Sequence, residues 1–327
     1  MAIVLAVDIG GTKTLFQLSY CDGEVIAEQR LLSADFASFD LALATFLGQV
    51  QCKEHSIDSA CFAVAGPVSG RDANVTNLPW QLNADSLAAS FNIAQVVLCN
   101  DFEAVAKGIA ELADDDVLTL QTGKPELAAP RAVIGAGTGL GQAVLIPQGD
   151  DWQVLATEGG HTNFAPTDLQ QCALLTHLLP RYEQVSYERL VSGVGIAEIY
   201  AFLLEGSYYP ESEALQQAMI NNDPAAAISQ FASEDNNSLA AATMNLFVRI
   251  YGSQAGNLAL TVLPRAGLYI AGSIAVKNKH LFKQDLFLAA FNAKGKMAGL
   301  MKTIPVRLIL REDIGLMGAR LLAVKNI

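Results

Sequence analysis

One arrangement occurs twice in the chain and restricts its fold more than any other feature. It is a short strand, a glycine-rich turn and a second strand, as "LAVDIGGTKTLFQLS" at residues 5–19 and as "AVIGAGTGLGQAVLI" at residues 132–146. The apolar run before the first turn is typical of a strand buried on both faces, and no apolar stripe at helical spacing follows the glycines. Two such copies predict two similar lobes with a ligand held between their turns.

The first turn differs from the familiar nucleotide-binding loops. A dinucleotide fingerprint or a P-loop needs a helix directly behind its glycines, and neither spacing is present. Adjacent glycines leave backbone N–H groups uncovered, so a phosphate could rest on Gly10 and Gly11 while Asp8 faces the same space. Alternatively, the pair forms a tight hairpin that needs positive φ at one glycine. The residues alone leave both interpretations open.

Charge and composition limit the partners. With a net charge of −12 over 327 residues, the chain repels polyanions, so we expect no nucleic-acid partner and expect any nucleotide to be bound by backbone donors and a divalent cation. Apolar runs are short and no basic segment precedes one at the N-terminus, which predicts a soluble cytoplasmic protein without a membrane partner. The scattered cysteines predict buried reduced thiols, not disulfides or zinc ligands. They are Cys21, Cys52, Cys61, Cys99 and Cys172.

The order of the predicted elements is that of an α/β protein. Strands are expected at residues 24–31, 60–65, 72–77 and 96–99, and helices at residues 38–50 and 102–112. The acidic stretch "LADDDV" marks a domain boundary. The last third is expected to be mainly helical, with an amphipathic helix at residues 246–260 and a strand at residues 268–271 that meets a turn at Gly272 and Ser273.

Asn100 and Asp101 follow a predicted buried strand. Ligands of open α/β sheets bind at the carboxyl ends of the strands, so Asp101 could take a proton from a substrate hydroxyl while Asn100 hydrogen-bonds another hydroxyl. An Asp just before a helix can also be simply its N-cap. The two roles are compatible.

A second polar cluster is predicted after the strand at residues 152–156. In "EGGH" the two glycines would let Glu158 and His161 point into one space, where a carboxylate and an imidazole can recognise the hydroxyls of a polyol. A loop without a binding role is the alternative. Metal binding is disfavoured because His161 and Cys172 have no cluster of further ligands. The local sequence of Glu188, "VSYERLVSG", by itself favours an ordinary exposed helix charge.

The ordered motifs resemble those of the bacterial glucokinases, in the superfamily of actin, sugar kinases and heat-shock ATPases. The matching segments span nearly the whole chain: "DIGGT", "AGPVSG", "TNLPW", "LCNDF", "IGAGTGLG", "EGGHTNFAP", "YERLVSGVGI" and "IAGSI". The resemblance implies a two-lobed actin-like ATPase fold, a duplicated ribonuclease-H-like α/β fold with an interlobe active-site cleft. It implies a small domain at residues 1–112 plus about 302–327 and a large domain at residues 113–301.

The same resemblance implies an ATP-dependent kinase that phosphorylates glucose and uses Mg²⁺. Asp101 would be the catalytic base, and Asn100, Asp101, Glu158, His161 and Glu188 would hold the sugar. Phosphates would lie along Asp8, Gly10, Gly11, Thr12, Gly137 and Thr138, with Asp8 orienting Mg²⁺ through water and Gly272 near the adenosine. A homodimer is also implied.

Some residues depart from the family pattern. Lys13 stands where close relatives often carry Asn, and Ser273 replaces a usual glycine. The cysteine-rich zinc motif of the broader repressor and sugar-kinase family is missing, which favours the zinc-free glucokinase group. A kinase for mannose, fructose or an N-acetylated amino sugar is the alternative within the enzyme class. A sugar-sensing protein of the same fold and a filament or chaperone ATPase are the alternatives outside it.

Overall fold

The computed structural model describes residues 1–50, 56–149, 151–206, 210 and 212–327. They divide into two compact units. Unit 1 comprises Met1–Asp114, Trp152–Ala156 and Arg311–Ile327, and unit 2 comprises Asp115–Asp151 and Thr157–Leu310. Residues 302–310 therefore group with unit 2, whereas the sequence predicts that the C-terminal segment of the small domain begins at about residue 302.

The strands and α-helices alternate through the first third of the chain, and helices dominate the last third. The strands are β1 (Ile3–Ile9), β2 (Lys13–Tyr20), β3 (Val25–Leu32), β4 (Ile57–Val64), β5 (Val68–Ser69), β6 (Asp72–Asn74), β7 (Gln81–Asn83), β8 (Ile93–Asn100), β9 (Val117–Gln121), β10 (Arg131–Ala136), β11 (Leu140–Gln148), β12 (Asp151–Thr157), β13 (Gly267–Ala271) and β14 (Val306–Ile309). The helices are α1 (Phe39–Gln49), α2 (Ala84–Phe91), α3 (Asp101–Gly108), α4 (Leu169–Leu178), α5 (Gly193–Glu205), α6 (Glu213–Asn221), α7 (Pro224–Glu234), α8 (Leu239–Val262), α9 (Ser273–Lys277), α10 (Lys279–Phe282), α11 (Asp285–Asn292), α12 (Ala298–Met301) and α13 (Ile314–Lys325).

The two main sheets share one strand order, which confirms the predicted duplication. In the first sheet the order is β3-β2-β1-β4-β8, and in the second it is β12-β11-β10-β13-β14 with β9 added at the edge. In each sheet, the strand before the glycine turn pairs antiparallel with the strand after it. These pairs are β1 with β2 and β10 with β11. Each also pairs parallel with the next strand inward, β1 with β4 and β10 with β13.

The first sheet is covered by helices on both faces, as its apolar strands predict. Leu5 and Val7 of β1 lie in the same cluster as Phe39 of α1. Their neighbours Val4 and Ala6 lie in a second cluster together with residues of α3 and α13. This alternation follows from the two-residue period of a strand, and it places α3 and α13 against one face.

Helix α8 corrects one prediction from the sequence. We expected an amphipathic helix at residues 246–260, but the 24-residue helix is buried on nearly all sides. Phe247 and Tyr251 pack edge-to-face, and Tyr251 also contacts Phe282 and Phe287 in the same geometry. Because helices pack around it from several directions, α8 is the central element of the core of unit 2 and has no wide polar face.

Two further predictions are corrected at single positions. The strand expected at residues 72–77 ends at Asn74, and Asn77 adopts a left-handed conformation with φ 66°. Cys61 and Cys99 are buried, but Cys21 is only half-buried and Cys172 is exposed. Helix α4 is buried through Gln171, Leu174 and Leu178, and Cys172 lies off that stripe. Cys52 is outside the described residues.

Within the described part of the chain, no helix has the length and apolar character needed to span a bilayer.

Candidate active site

The first glycine turn joins β1 to β2 and is held by Ser33. The Ser33 hydroxyl donates to the Gly10 carbonyl at 2.8 Å, and the Ser33 amide donates to the Thr12 carbonyl at 3.1 Å. Across the turn itself, the Gly10 amide donates to the Lys13 carbonyl at 3.0 Å. Gly11 and Thr12 are exposed. Their amides donate to no acceptor in the part of the chain that the structure describes, so two adjacent N–H groups are available to a ligand.

The first turn does form a tight hairpin, because β1 and β2 pair antiparallel across it. The positive φ expected at one of its glycines is absent, since neither Gly10 nor Gly11 has it. A Cβ on Gly10 would lie 3.0 Å from the Lys13 carbonyl oxygen, and a Cβ on Gly11 would lie at an ordinary 3.5 Å from Thr76. The backbone conformation at Gly11 would therefore tolerate a side chain. What glycine provides there is an uncovered backbone, the condition for binding an anion through amides.

Asp8 is half-buried near the end of β1. Burial, and secondly the neighbouring Asp101 carboxylate, raise the pKa of Asp8 to about 7. A folded-state pKa above the unfolded value means that stability is lost as the pH rises and this group ionises. A Cβ on Gly315 of α13 would lie 2.8 Å from the Asp8 carboxylate, so the glycine allows α13 to approach this carboxylate closely.

Asn100 and Asp101 lie where β8 ends and α3 begins. Asn100 is the N-cap, because its Oδ1 accepts from the Phe102 amide at 2.9 Å, and its Nδ2 donates to the Gly66 carbonyl at 3.2 Å. Asp101 is the first helical residue, and its Oδ1 also accepts from the Phe102 amide, at 2.9 Å. The cap role considered for Asp101 therefore belongs to Asn100. The charge of Asp101 raises the pKa of Asp8, so the two carboxylates lie near each other in unit 1.

The second glycine turn, in unit 2, has an open position at Gly137. Its amide donates to the Gly139 carbonyl and its carbonyl accepts from the Gly193 amide, both at 2.9 Å. A Cβ on Gly137 would have no protein atom within 4 Å, and its φ is not positive. Nothing described in the protein requires glycine at this position. Thr138 beside it is exposed, so the turn is suited to a ligand that must approach the backbone closely.

Gly272 is required by the fold itself. Its φ is 92°, and a Cβ would lie 2.3 Å from the Ala136 carbonyl oxygen at the end of β10. It precedes α9, whose first residue is Ser273. The predicted contact of Gly272 with adenosine stays a prediction, but Gly272 does lie against the strand that leads into the second glycine turn.

Glu158, His161 and Glu188 come together in unit 2. His161 Nε2 lies 3.9 Å from Glu158 Oε2, and His161 Nδ1 lies 3.9 Å from Glu188 Oε1. Both distances exceed that of a direct hydrogen bond, so the imidazole lies between two carboxylates without bonding either. Side-chain exposure is 82% for Glu158, 60% for His161 and 32% for Glu188. Acceptors and a donor are therefore presented side by side on an accessible surface.

Glycines and one backbone amide hold this cluster in place. Glu188 Oε2 accepts from the Leu140 amide at 2.9 Å, and a Cβ on Gly139 would lie 2.6 Å from that oxygen. A Cβ on Gly160 would lie 2.0 Å from the Leu140 carbonyl oxygen. The short 3₁₀ turn Gly159–His161 thus packs directly on the start of β11. Glu188 is fixed by this contact and is not an ordinary helix charge.

The sequence did not point to Ser33 or Gly139 as supports of the site. Ser33 follows β3 and gives little signal, because a serine after a strand is common in any loop. Gly139 is visible in "GAGTGLG" but has no spacing that reveals its contact with Glu188, 49 residues further along the chain. Such long-range contacts need the folded backbone.

Comparison with known proteins gives a single family. The model of the glucokinase family matches residues 5–326. The chain is 42% identical to the glucokinase of Trichormus variabilis, over 99% of this chain and 100% of that one. It is 41% identical to the glucokinase of a Synechocystis species, over 98% of each chain.

Solved structures agree with the fold. The glucokinase of an Antarctic psychrotroph superposes with a TM-score of 0.82 at 30% identity, over 99% of each chain. A ROK-family glucokinase of Streptomyces griseus, solved with glucose and AMPPNP, has a TM-score of 0.67 at 19% identity over 99% of this chain and 100% of that one, which shows the shared fold alone. The family match across residues 5–326 and the 42% identity over the full length of a curated relative establish that the chain belongs to the glucokinase family.

Proposed function

We propose that this chain is a hexokinase-type sugar kinase that transfers the γ-phosphoryl group of ATP to the 6-hydroxyl of glucose. The observation that carries the proposal is the full-length similarity, at 42% identity, to curated proteins named glucokinase. The polar cluster of Glu158, His161 and Glu188 supports it, because two carboxylates around an imidazole suit a ligand that presents several hydroxyl groups.

In this proposal the sugar is held by Asn100, Glu158, His161 and Glu188. The carboxylates accept hydrogen bonds from sugar hydroxyls, and the imidazole donates or accepts one more. Specificity follows because a sugar that lacks a hydroxyl at the matching position leaves a polar group without its partner. The exposed Glu158 has the most freedom to meet an incoming sugar, whereas Glu188 is already anchored to the Leu140 amide.

Asp101 is the proposed catalytic base. The 6-hydroxyl oxygen forms a bond to the γ-phosphorus as the bond between that phosphorus and the oxygen of the leaving ADP breaks, and the hydroxyl proton moves to the Asp101 carboxylate. One Asp101 oxygen accepts from the Phe102 amide, which fixes the orientation of the carboxylate at the start of α3. The Asp8 carboxyl lies close enough for the Asp101 charge to raise its pKa.

The phosphates of ATP are assigned to Gly10, Gly11, Thr12, Gly137 and Thr138, and the adenosine to the region of Gly272. The amides of Gly11 and Thr12, which have no acceptor among the described residues, and the uncovered backbone of the second turn support this assignment. Mg²⁺ fits the carboxylates of unit 1, because a divalent cation would offset the repulsion between Asp8 and Asp101 and prefers carboxylate oxygens. When bound, Mg²⁺ neutralises charge on the phosphates; Asp8 would orient it through water.

The proposal includes a cytoplasmic homodimer that acts on glucose and ATP and not on nucleic acid or membranes. The net charge of −12 supports the exclusion of nucleic acid, because a polyanion would be repelled. The dimer rests on the family resemblance alone.

A coupled assay of ADP release tests the substrate. We expect turnover with MgATP to be fastest on glucose in a panel that also contains mannose, fructose, N-acetylglucosamine and N-acetylmannosamine. Asp101→Asn, purified in parallel, controls for a contaminating host kinase. Equal or faster turnover of another sugar would assign the chain to that hexose, and sugar-independent release of ADP would favour an ATPase without a sugar substrate.

A further inference from the structure

Two side-chain amides, the buried Gln254 and the half-buried Asn257, connect the turn that carries Glu158 and His161 to a lysine. Lys294, which follows α11, extends its ammonium group to helix α8. There Nζ donates to Asn257 Oδ1 at 2.7 Å and to the Ser253 carbonyl at 2.9 Å. In the described part of the chain, Lys294 has no carboxylate partner. A cation is therefore balanced by neutral oxygens alone.

The approach of Lys294 to α8 depends on a missing side chain. A Cβ on Gly256 would lie 2.5 Å from Lys294 Cε, so glycine at this position is what lets the lysine stem cross the helix. Burial also lowers the pKa of Lys294. Holding an ammonium group in a partly buried place without a countercharge is costly, and its oxygen partners offset part of that cost.

The ammonium group fixes the orientation of two amides in sequence. Asn257 must turn its oxygen toward Lys294, so its Nδ2 points away and donates to Gln254 Oε1 at 3.2 Å and to the Tyr187 hydroxyl at 2.9 Å. Gln254 in turn presents its own NH₂ group to the Gly159 carbonyl and to the Thr162 hydroxyl, both at 3.5 Å. Gln254 and Tyr187 are buried, at 4% and 2% exposure.

Both branches of this chain end on the segment that holds the proposed sugar site. Gln254 faces the 3₁₀ turn through Gly159, next to Glu158. Tyr187 donates its backbone amide to the Thr162 carbonyl, and Glu188 donates its own to the Gly160 carbonyl, both at 2.9 Å. Each amide therefore accepts a hydrogen bond through its oxygen and donates one through its nitrogen, in the same direction from Lys294 to the turn.

We propose that Lys294 is a positioning residue for sugar recognition, which acts through Asn257 and Gln254 on the turn that carries Glu158 and His161. Without the ammonium group the Asn257 amide can reverse, Gln254 loses its fixed direction, and the turn is held less firmly. The inference rests on the proposed function, because it assigns the turn to the sugar. It predicts a defect in glucose binding and not in ATP binding.

Three variants test this positioning role. Lys294→Met keeps the stem and removes the charge. Asn257→Asp keeps the acceptor for Lys294, and even adds an ion pair, but replaces the NH₂ group that orders Gln254. Lys296→Met, at an exposed lysine two residues further on, is the matched control. Each is compared with wild type by the KM for glucose, the KM for ATP at saturating glucose, the glucose Kd from calorimetry without ATP, and the melting temperature.

We expect Lys294→Met and Asn257→Asp each to raise the KM and Kd for glucose about tenfold, the value of one to two hydrogen bonds, with the KM for ATP within about twofold of wild type. Lys296→Met should match wild type. Because Asn257→Asp gains an ion pair, a purely structural network predicts normal glucose binding in that variant, and that result overturns the inference. An equal rise in both KM values, or a lower melting temperature with an unchanged glucose Kd, also overturns it.

Failure of the proposed function gives a different result. In that case wild type itself neither binds nor phosphorylates glucose, and the same variants are measured with the sugar that the panel identifies. If Lys294→Met and Asn257→Asp leave the Kd for that sugar unchanged, the positioning role is wrong as well.

Discussion

Asn100 and Asp101 are adjacent in the chain but have different roles in the structure. Asn100 caps α3 and donates to the Gly66 carbonyl, so the protein orients its amide while the second N–H of the NH₂ group is left for a sugar hydroxyl. Asp101 accepts from the Phe102 amide through one oxygen, and its charge raises the pKa of Asp8. Because Asn100 already caps α3, the helix does not need a carboxylate at position 101. A chemical role therefore explains why Asp101 is there.

Asp101→Asn separates these roles. An amide oxygen can still accept from Phe102, so the fold should be kept, and the melting temperature should be unchanged or higher because repulsion of Asp8 is removed. Loss of a general base is worth roughly 10²- to 10⁴-fold, so kcat should fall within that range while the glucose Kd changes little. Steady-state kinetics and calorimetry measure both. Near-normal kcat would mean that the base lies elsewhere.

At the scale of elements, the packing of α13 on α3 supports the start of α3, where Asp101 lies. A Cβ on Gly318 would lie 1.7 Å from the Ala104 carbonyl oxygen, and a Cβ on Gly108 would lie 2.5 Å from the Ile314 carbonyl oxygen. Glycines on both helices therefore allow the two backbones to approach closely. Any side chain at Gly318 must push α3 and α13 apart.

Gly318→Ala tests this packing against a matched glycine. Overpacking costs about 1 to 3 kcal/mol, so the melting temperature should fall by roughly 2 to 10 °C. Gly48 is exposed near the end of α1, and a Cβ there would meet no atom of the described residues within 4 Å. Gly48→Ala should therefore stabilise by up to about 1 kcal/mol, because alanine favours helix. Scanning calorimetry compares the two variants. Equal shifts would show that the α3–α13 contact is not tight.

The elements also show what a sequence can and cannot predict. The strands around both glycine turns were predictable, because short apolar runs and a lack of helical spacing are local signals. The environment of α8 was not, because burial on all sides depends on helices that are distant in the chain. A local pattern could suggest that Glu158 and His161 share a space, but only the fold brings Glu188 to His161. Gln254 and Asn257 were a missed signal, because they are amides in a largely apolar helix.

At the scale of the molecule, the strand order is duplicated, and each unit has a glycine turn between two antiparallel strands. These strands are β1 and β2 in unit 1 and β10 and β11 in unit 2. The polar groups around the two turns differ. Unit 1 has the paired carboxylates Asp8 and Asp101, whereas unit 2 has the cluster of Glu158, His161 and Glu188. The duplication thus repeats the backbone that suits phosphate and varies the side chains, which supports different roles for the two copies.

The central claim is transfer of a phosphoryl group to the sugar, and identification of the product by ³¹P NMR tests it most directly. With glucose, ATP and Mg²⁺, we expect a sugar-phosphate resonance, coupled to the protons on carbon 6, that grows in step with ADP. Asp101→Asn should form it roughly 10²- to 10⁴-fold more slowly. Orthophosphate growing in step with ADP, without a sugar phosphate, would contradict the claim because water would then be the acceptor.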